Sequence, residues 1–216
     1  MKFTWMQKCA LPLAMLMLGG AAMAQQQSPA QGSSSSSAPA TQDPSIAQRK
    51  ENQQDRIANG VKSGQLTAGE TANLESKEAA INGETKADRA ANGGKLTGQE
   101  KQQINQQQNQ VSKQIYQDKH NSATQNYGNS EVGQRQKNQQ QRIANGVKSG
   151  QLTAGETAKL ENQQRGINQQ VKADRAANGG KLTAGERQQI NKEQNQTSKN
   201  IYNKKHNAKT QPKAKQ

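Results

Sequence analysis

Residues 48–124 are written a second time as residues 134–210, 86 positions later, with 54 of the 77 aligned residues identical. A copied stretch of that length is a foldable unit, and whatever local structure it encodes has to appear twice. Each copy divides again: Leu66-Thr67-x-x-Glu70 recurs as Leu96-Thr97-x-x-Glu100, Leu152-Thr153-x-x-Glu156 and Leu182-Thr183-x-x-Glu186. In this pattern the Thr oxygen accepts from the backbone N–H three residues on. The Glu reaches back to the Thr N–H, so two donors without helical partners are satisfied at once and a helix starts.

Apolar residues behind each cap keep one spacing. Leu74, Ile81 and Thr85 in one segment match Ile104, Val111 and Ile115 in the next, and the later copy gives Leu160, Ile167, Val171 and Ile190, Thr197, Ile201. Offsets of seven and eleven fall on one helical face. Asn59-Gly60 and Asn92-Gly93 read as C-terminal stops, because Gly takes the left-handed backbone that ends a helix. Each copy is therefore expected to hold a short helix over 48–58, one from 67 to about 90 and one from 97 to about 119. The middle helix should run unbroken through Asn82-Gly83, since the second copy has Asn168-Gln169 there.

The amino terminus has the plan of an export signal. Lys2 and Lys8 precede an apolar run from Ala10 to Leu18, and Ala22-Met23-Ala24 offers a small-x-small cleavage site, so cleavage is expected after Ala24. The run is about half the roughly 20 residues a spanning helix needs, and Pro12 interrupts it. No later stretch is apolar enough to cross a bilayer, so a periplasmic or secreted chain follows. The signal carries the only Cys, Cys9, which leaves no thiol or disulfide chemistry for the remainder. Residues 25–47, rich in Ser, Gln and Pro, read as a disordered linker, 125–133 as a second linker and 211–216 as a basic tail. The fold class expected is all-α, with two tandem copies of a three-helix, paired helix-loop-helix unit.

Beyond residue 24 the large apolar side chains are six Leu, nine Ile, five Val and three Tyr. That is a thin supply for 192 residues, so each copy has a marginal core and the helical stripe is a candidate for self-association.

The turn before each cap has the frame of a calcium loop. In Asn59-Gly-Val-Lys-Ser63-Gly64-Gln-Leu66-Thr67-Ala-Gly-Glu70, Gly stands sixth, Leu eighth and Glu twelfth; 89–100, 145–156 and 175–186 repeat the frame. The whole unit resembles secreted bacterial proteins built from degenerate EF-hand-like Gly-x-Leu-Thr-x-x-Glu helix-loop-helix repeats. That resemblance implies paired helix-loop-helix units and no known activity. Calcium would draw on Asn59, Ser63 and Glu70 with Asn145, Ser149 and Glu156, but a cage of this ion needs several carboxylates, and Arg89 stands at the first position of the next loop. No cofactor is expected.

Ser and Thr fall at caps and in linkers without an Asp/His partner at a telling separation, so no enzyme is expected. Charge is uneven: the first copy has 11 basic and 9 acidic residues, the second 15 and 5. An anionic polymer is accordingly expected at the second copy, through Arg165, Lys172, Arg175, Lys181, Arg187, Lys199, Lys204 and Lys205 together with the tail lysines Lys213 and Lys215. The function expected is a non-enzymatic structural or binding module of the bacterial envelope, its partner an envelope component. Calcium response and polyanion binding are the alternatives.

Overall fold

The computed structural model describes residues 45–211. The export signal, the linker up to residue 44 and the tail lysines lie outside the described residues. Within them the chain is all-helical: α1 (Ile46–Ser63), α2 (Ala68–Ala91) and α3 (Gly98–Lys119) lie in the first copy, α4 (Glu131–Lys148), α5 (Ala154–Ala177) and α6 (Ala184–Lys205) in the second. No described helix is long and apolar enough to cross a membrane.

The Thr/Glu pairs start α2, α3, α5 and α6. Thr67, Thr97, Thr153 and Thr183 are the N-caps, each accepting from the backbone N–H of its Glu while the Glu carboxylate accepts from the Thr N–H. α2 passes unbroken through Asn82-Gly83 and ends at Asn92.

α1 departs from its expected bounds. It begins two residues earlier, on a Ser45–Gln48 capping box, and runs five residues further, because Gly64 rather than Gly60 ends it, at φ 77°. Gly60 sits inside the helix for close approach. A Cβ there would lie 2.6 Å from Leu66 Cδ1, and Leu66 is buried in the core. Gly146 and Leu152 repeat the arrangement, with the same atom pair at 2.7 Å. The linker boundaries shift with the helix starts, since α1 is capped at Ser45 and α4 at Ser130.

The two copies do not fold side by side as separate bundles. α2 packs more extensively on α5 than on α1 or α3, and α1 more on α4 than on α3. A Cβ on Gly69 would lie 3.3 Å from Arg165 Cδ, and one on Gly155 would lie 3.9 Å from Ala79 Cβ. These two pairs exchange places under the 86-residue shift, as a two-fold relation between the copies requires. They also fix α2 and α5 as antiparallel, crossing near Leu74 and Leu160. Small residues allow that approach: Ala68, Ala72, Ala154 and Ala158 are buried along the same helices.

The cores are exchanged in the same way. Ala144 of α4 packs into the first-copy cluster of Ile57, Val61, Leu66, Leu74, Ile81, Ile104, Val111 and Ile115. Its counterpart, Ala58 of α1, packs with Ile143, Val147, Leu152, Leu160 and Ile201. The remaining second-copy residues, Val132, Ile167, Val171 and Ile190, form a cluster of their own. Thr197 stands buried where the first copy has Val111, and a hydroxyl at that point interrupts the apolar continuity.

Two glycines separate close approach from helix propensity. Gly60→Ala is expected to cost about 1–3 kcal/mol, because overpacking against a buried Leu outweighs the propensity gain. Gly83→Ala, with nothing within 4 Å of the new methyl, should add about 0.5–1 kcal/mol. Urea denaturation of both variants checks this, and a stabilised Gly60→Ala would contradict the packing described.

Candidate functional site

Glutamine occupies positions on the buried helical faces that a richer chain would give to Leu. Gln53 Nε2 donates to Gln108 O at 2.6 Å and Ser112 Oγ at 3.0 Å; Gln139 Nε2 does the same to Gln194 O and Ser198 Oγ. Gln108 and Gln194 in turn donate to Ile46 O and Val132 O, tying α3 to α1 and α6 to α4. The amide nitrogens are thus satisfied, while Oε1 of Gln53, Gln108 and Gln194 is buried without a partner within the chain.

Between the copies the buried polar groups become carboxyls. Glu75 on α2 and Glu161 on α5 are fully buried, and each accepts one bond, from Gln54 Nε2 at 3.0 Å and Gln140 Nε2 at 2.7 Å. Glu78, one turn beyond Glu75, is buried as well, and both its oxygens lack a hydrogen-bond partner within the chain. Burial pushes Glu75 up to about 8, the Gln54 hydrogen bond opposing and the neighbouring Glu78 and Glu161 adding to the rise. Burial likewise raises Glu161 to about 8 and Glu78 to about 7, the latter against the attraction of Lys50. Lys50 is itself held below the usual lysine range, by burial first and against the pull of Glu78 and Glu75. The Tyr127 hydroxyl, in the segment joining the copies, is raised by burial and then by Glu161.

Glu78 has an uncharged counterpart in the second copy. Its counterpart is Gln164, an isostere of the protonated acid, whose Nε2 donates to Gln139 Oε1 at 2.8 Å. The Lys50 position changes in step, to Gln136. At this one position the cluster is thus neutral amide on one side of the pseudo-axis and acid beside a lysine on the other, with Glu75 and Glu161 in both.

The residues expected to bind ligands are elsewhere. Asn59 and Asn145 lie within α1 and α4. The Ser63 and Ser149 hydroxyls bond Gly60 O and Gly146 O. Glu70 spends Oε2 on the N–H and hydroxyl of Thr67 and Oε1 on Asn121; Glu156 does the same with Thr153 and Asn207. Among the described residues no three His, Cys, Asp or Glu side chains gather as a metal-holding group. His120 and His206 are helix C-caps, each stacked 4.2 Å from the Tyr one turn before it.

The second-copy cations are spread over several surfaces. The Arg165 stem reaches Gly69 in the inter-copy seam, and the Lys205 stem lies 3.3 Å from where a Gly146 Cβ would be. Lys204 faces the Glu156 carboxylate. Arg175 donates to Ser130 Oγ and lines a cleft with Lys172 beside Tyr127. Lys181, Arg187 and Lys199 are exposed on the α5–α6 turn and α6. The chain matches no protein-family model, no curated protein and no solved structure.

The buried acids set a pH dependence whose sign is fixed. Their folded pKa values lie above the unfolded carboxylate range, so the folded chain holds protons that the unfolded chain releases. The stability they contribute is therefore complete below about pH 4.5 and is lost as pH rises towards 8. The cap carboxylates Glu100 and Glu186, lowered by the N–H of Thr97 and Thr183, act in the opposite sense, but only below that window. The melting temperature is expected to fall by several degrees between pH 5 and pH 8.5. Glu75→Gln combined with Glu161→Gln should remove most of the fall, read by circular dichroism, and an unchanged pH profile in the double variant would rule out these acids as its source.

Proposed function

We propose that the chain is an exported, non-enzymatic helical repeat protein of the bacterial envelope. Two tandem copies of a three-helix, EF-hand-like unit form one pseudo-two-fold body, preceded in the sequence by a cleaved signal and a Ser/Gln/Pro-rich linker. The observation that carries this reading is the reciprocal packing of α2 on α5 and α1 on α4, which commits the best-buried polar groups to holding the copies together. A body built in this way offers a rigid, strongly basic outer surface, suited to spacing or binding rather than to chemistry.

Export is tested by expressing the full chain in a Gram-negative host, fractionating the cells and weighing the product. The mature species should leave the cytoplasm with Gln25 at its amino terminus. Full-length chain retained in the cytoplasm would defeat the reading. Calcium response, the second reading of the loops, requires Glu70 and Glu156 to give up their cap hydrogen bonds. It would show as a calcium-dependent rise in melting temperature.

A further inference from the structure

We propose that the α2–α3 and α5–α6 turns are sites of spontaneous covalent modification: Asn92 and Asn178 deamidate through the nitrogen of the glycine that follows, and the new carboxylate breaks the tie between the helices on either side. The reaction requires only water, so it is independent of the export reading. Asn-Gly occurs five times, at 59–60, 82–83, 92–93, 145–146 and 178–179. Exposure does not separate these sites, since Asn59 and Asn145 are exposed like Asn92 and Asn178.

The backbone does separate them. Asn59, Asn82 and Asn145 stand with their glycines inside α1, α2 and α4. For the Gly nitrogen to reach the Asn Cγ, the peptide joining the two residues must rotate, and inside a helix that breaks i→i−4 hydrogen bonds of its N–H and its C=O. Asn92 and Asn178 are instead the residues at which α2 and α5 end. There the carbonyl of the same peptide accepts a long bond, from Lys95 N–H to Asn92 O at 3.3 Å and from Lys181 N–H to Asn178 O at 3.3 Å. Gly93 and Gly179 stand at φ 61° and 60°, and a residue without Cβ takes up the counter-rotation without strain. A Cβ on Gly93, Gly94, Gly179 or Gly180 would meet nothing within 4 Å, so the turns have room to move.

In the reaction the Gly93 nitrogen loses its proton and bonds to Asn92 Cγ, and Nδ2 leaves as ammonia, closing a cyclic imide. Water then opens the ring. Addition at Cγ gives Asp, and addition at the main-chain carbonyl gives isoaspartate, whose backbone is longer by a methylene. The net change is carboxamide plus water to carboxylate plus ammonium. Asn92 Nδ2 donates to Glu100 Oε1 at 2.7 Å, and Asn178 Nδ2 donates to Glu186 Oε1 at 2.8 Å and to Asp174 O at 2.8 Å. Glu100 and Glu186 complete the capping boxes of α3 and α6, so each of these bonds ties the end of one helix to the start of the next. After the reaction two carboxylates face each other at that point. The new one also stands at a helix C-terminus, where the dipole disfavours an anion.

The test is to age the purified chain in mildly alkaline buffer and map its peptides by mass. Trypsin would release both turns as the same peptide, Ala-Ala-Asn-Gly-Gly-Lys, whereas a glutamate-specific protease separates all five sites. Asn92 and Asn178 are expected to gain the mass of OH in place of NH2 at least about tenfold faster than Asn59, Asn82 and Asn145, whose helices must open first. In concentrated urea the five rates should converge. Comparable rates at all five sites in the folded chain, or a lead of Asn92 and Asn178 that persists in urea, would overturn the assignment. The consequence is read by comparing Asn92→Asp/Asn178→Asp with Asn92→Ser/Asn178→Ser, which removes the bond to Glu without adding charge. The Asp variant should melt a few degrees below the Ser variant at low salt, the gap closing as salt is added. Equal melting temperatures at low salt would overturn the repulsion.

Discussion

Everything in this fold depends on one antiparallel crossing, that of α2 over α5. Small residues let the two helices approach, and their reciprocal contacts at Gly69/Arg165 and Gly155/Ala79 make each copy the lid of the other. Without that lid Glu75, Glu78 and Glu161 would face water and ionise, and Ala58 and Ala144 would leave the clusters they complete. A chain with so few large apolar side chains gains from this arrangement in particular, because one helix face buries against its twin while another serves its own copy.

The polar interior follows from the same shortage. Fully burying a Leu side chain is worth about 1.5–3 kcal/mol, and the sequence has too few to fill every inward position. Glutamines fill the remainder and offset part of their desolvation by donating to carbonyls of neighbouring helices, among them Gln53 to Gln108 O and Gln139 to Gln194 O. Such bonds are directional where apolar packing is not, so they also fix which carbonyl each helix meets.

Much of the helical layout was legible in the sequence. The Thr-x-x-Glu caps marked four helix starts, and the seven- and eleven-residue offsets marked inward faces at Leu74, Ile81, Ile104, Val111 and Ile115, all buried. Asn59-Gly60 misled because a glycine required for contact with Leu66 has the same spelling as one that stops a helix. The buried glutamines went unrecognised because composition alone assigns Gln to the surface. Their signal was positional: Gln108 falls four residues after Ile104, on the same stripe, and is repeated as Gln194. The carboxyl cluster had no signal of this kind, since it arises only where two distant segments cross. Net charge per copy pointed to the second repeat. There the cations are spread over several surfaces, which a total does not record.

The exchange of Lys50 and Glu78 for Gln136 and Gln164 has a further meaning. In a dimer of identical subunits every substitution is made twice, so a lysine facing an acid on one side must face another on the opposite side. Joining the partners in one polypeptide removes that obligation. Here the first half carries Lys50 and Glu78 where the second carries Gln136 and Gln164, while Glu75 and Glu161 stand in both. A single body can therefore carry a charged pair and its uncharged equivalent on opposite sides of one pseudo-axis.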